Sequence, residues 1–188
     1  MIMLLLVTTL NGCKKSEYAE LVKTELDKEL ILDSLMFGMK LGDTRQRFFD
    51  ICWQLNKDKK VKQGPRNNFV QYELPTKNKD DVENRITMLF YGIFDDNKIM
   101  TGLDMRFYYK GWSLWNQSLH SEKLLPVIKD TLMSWYPGNE FIPITLKKSK
   151  KDVLVKVDGN RQILIEPLVD TREIDVRIDD LRYVKSLK

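Results

Sequence analysis

The chain has 188 residues, which is enough for one full-sized hydrophobic core or for two small cores that share an interface. Its 31 lysines and arginines exceed its 27 acidic residues only modestly, and the excess is spread along the sequence. Nucleic acid is not an expected partner. The densest basic segment, Lys147 to Lys151, lies between two strand-like runs and is interpreted as a solvated turn, with a phosphate or anionic-lipid contact as the alternative.

The first ten residues are apolar or small, and they run directly into Leu10-Asn11-Gly12-Cys13. An apolar segment ending in a small residue before a cysteine resembles a bacterial lipoprotein signal, in which the cysteine thiol is acylated and the chain is cut in front of it. We therefore expect residues 1–12 to be a signal peptide and the lipidated Cys13 to anchor the protein to a membrane of the bacterial cell envelope, with the outer membrane as the expected location. The alternative is an apolar N-terminus of a soluble chain, since the run is far shorter than the roughly 20 residues of a spanning helix.

Residues 13–35 are rich in charge, and their apolar residues Leu21, Leu26 and Leu30 recur at helical spacing. This pattern predicts a tether that becomes a helix before the folded body begins.

The first structural unit is predicted over residues 36–111. Asp43 is the expected cap of a helix, and Gln46 is placed to complete a capping box. An apolar face follows at helical spacing, formed by Phe48, Phe49, Cys52, Trp53 and Leu55. With Cys13 acylated, Cys52 has no thiol partner and is interpreted as a buried, inert residue.

Three antiparallel strands are predicted after this helix, over residues 69–74, 86–94 and 99–109. Asp95 to Lys98 joins the last two as a hairpin, because Asp and Asn tolerate the backbone of tight turns. In the third strand Leu103, Met105, Phe107 and Tyr109 share one face, and the residues between them share the other.

The same order recurs over residues 112–188. Ser121 and Glu122 lead into an amphipathic helix that ends at Pro137, and Pro126 is expected only near its first turn. Strands are predicted over residues 141–146, 153–157, 163–165 and 174–178. We therefore predict an α+β fold in which a helix followed by an antiparallel meander occurs twice (αβββ repeated), with both helices on one face of the sheet or sheets. Residues 36–188 form either two such units or a single domain.

This order resembles the beta-lactamase inhibitor protein-like architecture and the related small lipoprotein of the outer-membrane beta-barrel assembly machinery. Two phrases carry the resemblance: Phe37-Gly38-Met39-Lys40-Leu41-Gly42-Asp43-Thr44 at the entry of the first helix, and Tyr91-Gly92-Ile93-Phe94-Asp95-Asp96-Asn97-Lys98-Ile99 at the hairpin. The resemblance covers most of residues 36–183, although the second unit lacks the Gly-Asp-Thr entry. It implies a binding protein with no catalytic residues to carry over.

The residues offer little catalytic chemistry. His120 is the only histidine, and we expect it to hydrogen-bond to the end of the following helix. No strand-turn-helix elbow presents Ser118 or Ser121 as a nucleophile, and one histidine with one buried cysteine cannot form a common zinc set. The pairs Asp95/Asp96 and Asp179/Asp180 lack the alternating spacing of a calcium loop. We therefore predict no catalytic residues, no metal and no cofactor.

Aromatic residues are concentrated where the third strand meets the link between the units. We predict a candidate partner or ligand surface formed by Arg106, Tyr108, Lys110, Trp112 and Trp115. An alternative interpretation is that Trp112 and Trp115 wedge the two units together.

The sequence favours a membrane-anchored, non-catalytic envelope lipoprotein that binds an unknown protein partner. Two alternatives remain open: a lipoprotein that binds or hydrolyses glycans through Trp112, Trp115 and nearby carboxylates, and a structural spacer.

Overall fold

The computed structural model of the protein describes residues 17–76, 80–146, 150, 152–166 and 171–183. Cys13, the predicted signal peptide and most of the basic segment 147–151 lie outside the described residues. Three α-helices are described: α1 (Glu17–Leu26), α2 (Arg45–Lys57) and α3 (Ser121–Trp135). The strands are β1 (Lys62–Gln63), β2 (Val70–Glu73), β3 (Ile86–Phe94), β4 (Met100–Tyr109), β5 (Ile142–Thr145), β6 (Asp152–Asp158), β7 (Arg161–Glu166) and β8 (Ile174–Asp180).

The eight strands form one antiparallel sheet in the order β1-β2-β3-β4-β8-β7-β6-β5. The α+β class and the repeated element order are thus confirmed, and the two meanders are joined where β4 pairs with β8, with Met105 opposite Val176. Each meander has four strands rather than the three that were predicted for the first unit. The missed strand, β1, spans two exposed residues, so its sequence carries no burial pattern that could reveal it.

Both α2 and α3 pack on the same face of this sheet, as predicted. Phe48 from α2 and Ile128 from α3 are fully buried in one cluster with Met105 and Phe107 of β4 and Val176 of β8. This cluster is continuous across the β4–β8 seam, so α2 and α3 share one hydrophobic core.

The first helix, α1, packs on the opposite face of the sheet, which we call the outer face. Its Tyr18 and Val22 are buried in a second apolar cluster with the outward side chains of β6 and β7, which include Val155 and Leu164. The predicted apolar stripe was wrong in part, because the side chain of Leu26 is 38% exposed and that of Leu30 is 49% exposed. Thus α1 is a structural part of the body rather than only a tether.

The predicted cap of α2 is corrected by the structure. Thr44, not Asp43, is the N-cap residue, and its hydroxyl accepts a hydrogen bond from the Arg47 amide at 3.2 Å. Asp43 instead accepts from the Lys40 amide at 2.8 Å, and Gln46 donates to Asp50 within the helix. A carboxylate and a hydroxyl lie side by side before this helix, and only the backbone path decides which one caps it.

The expectation that Pro126 lies near the first turn of α3 was also wrong. The helix begins at Ser121, so Pro126 lies at its sixth position rather than in its first turn. His120 occupies the N-cap position without a side-chain capping bond, and its Nε2 lies 3.2 Å from the Ser113 carbonyl oxygen. The side chain of His120 therefore contacts the loop that precedes the helix instead of capping the helix end.

Candidate functional site

The alternation of β4 divides its side chains between the two faces of the sheet as predicted. Met105 and Phe107 are buried under the helices, whereas Asp104, Arg106 and Tyr108 are half-buried on the outer face. In the part of the chain that the structure describes, α1 covers this face at β6 and β7, and no other α-helix packs on it. No described α-helix therefore covers the outer side chains of β2, β3, β4 and β8, which we call the exposed half of the sheet, although Thr87 and Leu89 of β3 are buried among their neighbours there.

Arginines stack on aromatic rings across this half of the sheet. The guanidinium carbon of Arg106 lies 5.3 Å from the centre of the Phe69 ring. That of Arg172 lies 5.3 Å from the ring of Tyr108 and 5.5 Å from the ring of Trp112. These five residues form what we call the Arg-aromatic face, in which each ring is held in place by a cation above it.

The same surface is lined by charge pairs of both signs. Arg106 lies 3.3 Å from a carboxylate oxygen of Asp175 and 3.7 Å from one of Glu173. Lys110 lies 3.5 Å from Glu73, at the edge of the face. Because these groups are partly exposed, each pair contributes little to stability.

One carboxyl on this face has a perturbed pKa. Burial raises the pKa of Asp104 above its ordinary value, and the nearby carboxylate of Asp175 raises it further. The charges of Arg106 and Arg177 act in the opposite direction without cancelling the effect. An incoming cationic group would stabilise the ionised form of Asp104, because a nearby positive charge offsets the free-energy cost of burying a carboxylate.

The two predicted tryptophans have different environments. Trp112 is half-buried, and its indole Nε1 donates to the Thr171 carbonyl oxygen at 3.1 Å. Trp115 is 91% exposed, and its neighbour Leu114 is 65% exposed. The interpretation that both tryptophans wedge the units together is therefore wrong for Trp115, because a wedge must be buried on two sides.

The structure brings Arg106, Tyr108 and Trp112 into one surface, with Lys110 at its edge and Trp115 on the adjoining loop. Sequence reasoning missed Phe69 and Arg172. Phe69 directly precedes β2, and its outer position could have been inferred from the strand's alternation with Val70 and Tyr72. No local pattern points to Arg172, since its contacts depend on how the chain returns to the sheet before β8.

Cys52 is a buried thiol, as predicted, and burial raises its pKa to about 12. A thiol that stays protonated at neutral pH is a poor nucleophile. Among the described residues no group of three His, Cys, Asp or Glu side chains is arranged to hold a metal ion.

No described helix is long and apolar enough to cross a membrane. No protein-family model matches the chain, and neither a curated protein nor a solved structure matches it. The resemblance to beta-lactamase inhibitor protein-like domains stays a prediction.

Proposed function

We propose that this protein is a lipid-anchored lipoprotein of the bacterial envelope that binds a protein partner, without catalysis, through its Arg-aromatic face and the adjoining Leu114–Trp115 loop. Cys13 carries the anchor, and the folded body carries the binding surface. The single observation that supports this function best is the exposure of Trp115 at 91% beside a sheet face that no other α-helix covers in the described chain.

The chemistry of the surface favours a protein as the partner. Arginine, tyrosine and tryptophan are the residues enriched at the energetic centres of protein interfaces, and all three occur here within a rim of mixed charges. An exposed pair of large apolar residues, Leu114 and Trp115, offers an anchor that a pocket on the partner can bury.

The partner is expected to present cationic as well as apolar groups. Burial raises the pKa of Asp104, and the charges of Arg106 and Arg177 do not offset that effect fully. A lysine or arginine from the partner adds a further positive charge beside this carboxylate, so binding should weaken as added salt screens the charges.

The test of this function is affinity purification from cross-linked envelopes with three forms of the protein. We expect a defined partner with the native chain, and about tenfold or greater loss of recovery with Trp115→Ala, because aromatic anchors commonly contribute ~2 kcal/mol or more to an interface. Val127→Ala is the control, since Val127 is 40% exposed but lies on α3, on the opposite side of the sheet. Equal recovery with all three forms, or no specific partner, would refute the proposal.

The anchor has its own test in the mass of the native N-terminus. We expect diacylglycerol on Cys13, and loss of both the lipid and membrane association in Cys13→Ser. An unmodified chain that begins at Met1 would remove the anchor from the proposal and leave the binding surface to be judged separately.

A further inference from the structure

A second surface feature lies on the helix side of the sheet, away from the Arg-aromatic face. A cavity of about 520 Å³ opens between the segment that follows α1 and the C-terminal end of α3. Its wall is mainly apolar and includes Leu32, Met36, Phe37 and Trp135. The volume is in the range of cavities that bind small organic ligands.

A buried arginine forms part of this wall. Arg161 is only 5% exposed, and its Nη1 donates to the Ser34 carbonyl oxygen at 3.3 Å. Its guanidinium carbon lies 4.7 Å from the centre of the Tyr136 ring, and its Nε has no hydrogen-bond partner. A guanidinium has five N–H donors, and within the described residues no carboxylate oxygen lies within 4 Å of this one.

The carboxylates around Arg161 are bound to other groups. Asp158 lies 2.8 Å from the ammonium of Lys156 and accepts a hydrogen bond from the Asn139 amide at 2.7 Å. Asp180 accepts from Arg182 at 2.5 Å. Asp158 still acts on the guanidinium through its charge, but the buried Nε of Arg161 has no acceptor among the described residues. This donor can bind a group that enters the cavity, because a buried N–H group without an acceptor costs free energy.

A second donor stands beside the arginine. The Tyr136 hydroxyl is buried with its ring, which is 4% exposed, and it accepts a hydrogen bond from the Met36 amide at 3.3 Å. Burial raises the pKa of Tyr136 to about 12, so the phenol keeps its proton at neutral pH. No acceptor for that proton occurs in the described part of the chain, and the hydroxyl can donate to an anion.

We propose that this cavity binds a small carboxylate with an apolar body, whose carboxylate oxygens accept from Arg161 and Tyr136 while its body packs on Phe37, Met36 and Trp135. A planar carboxylate matches the paired donors of a guanidinium, which gives both orientation and affinity. The apolar wall excludes fully polar anions, since it offers them no further hydrogen bonds.

The test is a binding titration of the purified protein by calorimetry with three probes: decanoate, 3-phenylpropanoate and decanol. Decanol has the alkyl chain of decanoate without its charge, so it measures the apolar contribution alone. We expect at least one of the two carboxylates to bind about tenfold or more tightly than decanol, because a charge-assisted hydrogen bond contributes ~1.5–3 kcal/mol. Tighter binding of decanoate would identify an alkyl-chain carboxylate as the ligand class, and tighter binding of 3-phenylpropanoate an aromatic one.

Variants then assign the effect to the cavity. Arg161→Gln should remove the advantage of the carboxylate over decanol, whereas Lys123→Gln, exposed near the start of α3 and away from the cavity, should leave it unchanged. Because replacing a buried arginine risks unfolding, Trp135→Ala provides a second variant. It removes an apolar wall of the cavity and leaves Arg161 and Tyr136 in the chain, so the affinity for every ligand that binds should fall. The proposal is overturned if neither carboxylate binds the native protein at ~1 mM, or if decanol binds it equally well.

Discussion

At the scale of single residues, the exposed half of the sheet carries a carboxyl group that reduces stability. The pKa of Asp104 is raised by burial, so the folded protein holds the proton of this group more tightly than the unfolded chain does. The free energy of unfolding therefore falls as the pH rises from the ordinary pKa near 3.8 through the folded value. Groups retained at such a cost are common at binding surfaces.

We predict that Asp104→Asn raises the Tm at pH 7 by ~1–3 °C and flattens the dependence of Tm on pH above pH 4. The expected size is small because solvent screens a half-buried group, and ~1 kcal/mol shifts the Tm of a domain of this size by ~2–4 °C. Calorimetry from pH 4 to pH 8 measures both effects. Asp96→Asn, in the exposed β3–β4 hairpin, should change neither, and a lower Tm for Asp104→Asn would show that its charge stabilises the fold.

At the scale of elements, α1 is joined to the β6–β7 hairpin by a buried glutamate. Glu25 is 4% exposed and accepts hydrogen bonds from Lys28 at 2.5 Å, Asn139 at 2.7 Å and the Gly159 amide at 3.1 Å. Burial raises its pKa, but the bonds from Lys28, Gly159 and Asn139 together outweigh burial and hold the pKa below its ordinary value. The stabilisation is therefore present above the ordinary pKa near 4.5 and is lost as the pH falls through the folded value.

We predict that Glu25→Gln lowers the free energy of unfolding by ~1–3 kcal/mol at pH 7, because it leaves buried donors with a weaker acceptor. Urea unfolding measures the loss, and the difference from the native protein should shrink as the pH falls below the ordinary carboxyl pKa. Glu20→Gln, on the exposed side of the same helix, should stay within ~0.5 kcal/mol of the native protein. Equal effects of the two substitutions would mean that α1 docks without this network.

The elements also show what the sequence could and could not predict. The strands β3, β4 and β8 were found because alternation directly encodes which side chain faces the core, as at Met105 and Phe107. The docking of α1 was not found, because Leu26 and Leu30 are as apolar as Val22 yet lie exposed, and only the shape of the sheet distinguishes them. Of the candidate site, the β4 residues followed from alternation, whereas Arg172 and the buried Arg161 depend on contacts between distant segments.

At the scale of the whole molecule, the β4–β8 seam joins the two meanders into one sheet, and we expect them to unfold together. Gly102 of β4 pairs with Asp179 of β8, and a methyl group at Gly102 would overlap the carbonyl oxygen of Ile178. The glycine is required here by the close approach of the neighbouring backbone rather than by its own torsion angles.

We predict that Gly102→Ala lowers the free energy of unfolding by ~2–4 kcal/mol, because the strands must shift to relieve the overlap. Amide hydrogen exchange should show the loss equally in β3 and in β7, which lie on opposite sides of the seam. A loss of protection in only one meander would mean that the two halves unfold independently. Ser134→Ala, exposed on α3, is the control and should leave protection unchanged.

We propose that the exposed half of the sheet and the loop beside it bind a partner in the envelope. A photoreactive amino acid placed at position 108, 115 or 127 in cells that express the protein, with identification of the cross-linked products, tests this proposal. We predict one and the same partner protein from positions 108 and 115, and no adduct with it from position 127 on α3, on the opposite side of the sheet. Adducts with that partner from position 127 alone, or none from positions 108 and 115, would contradict the proposal.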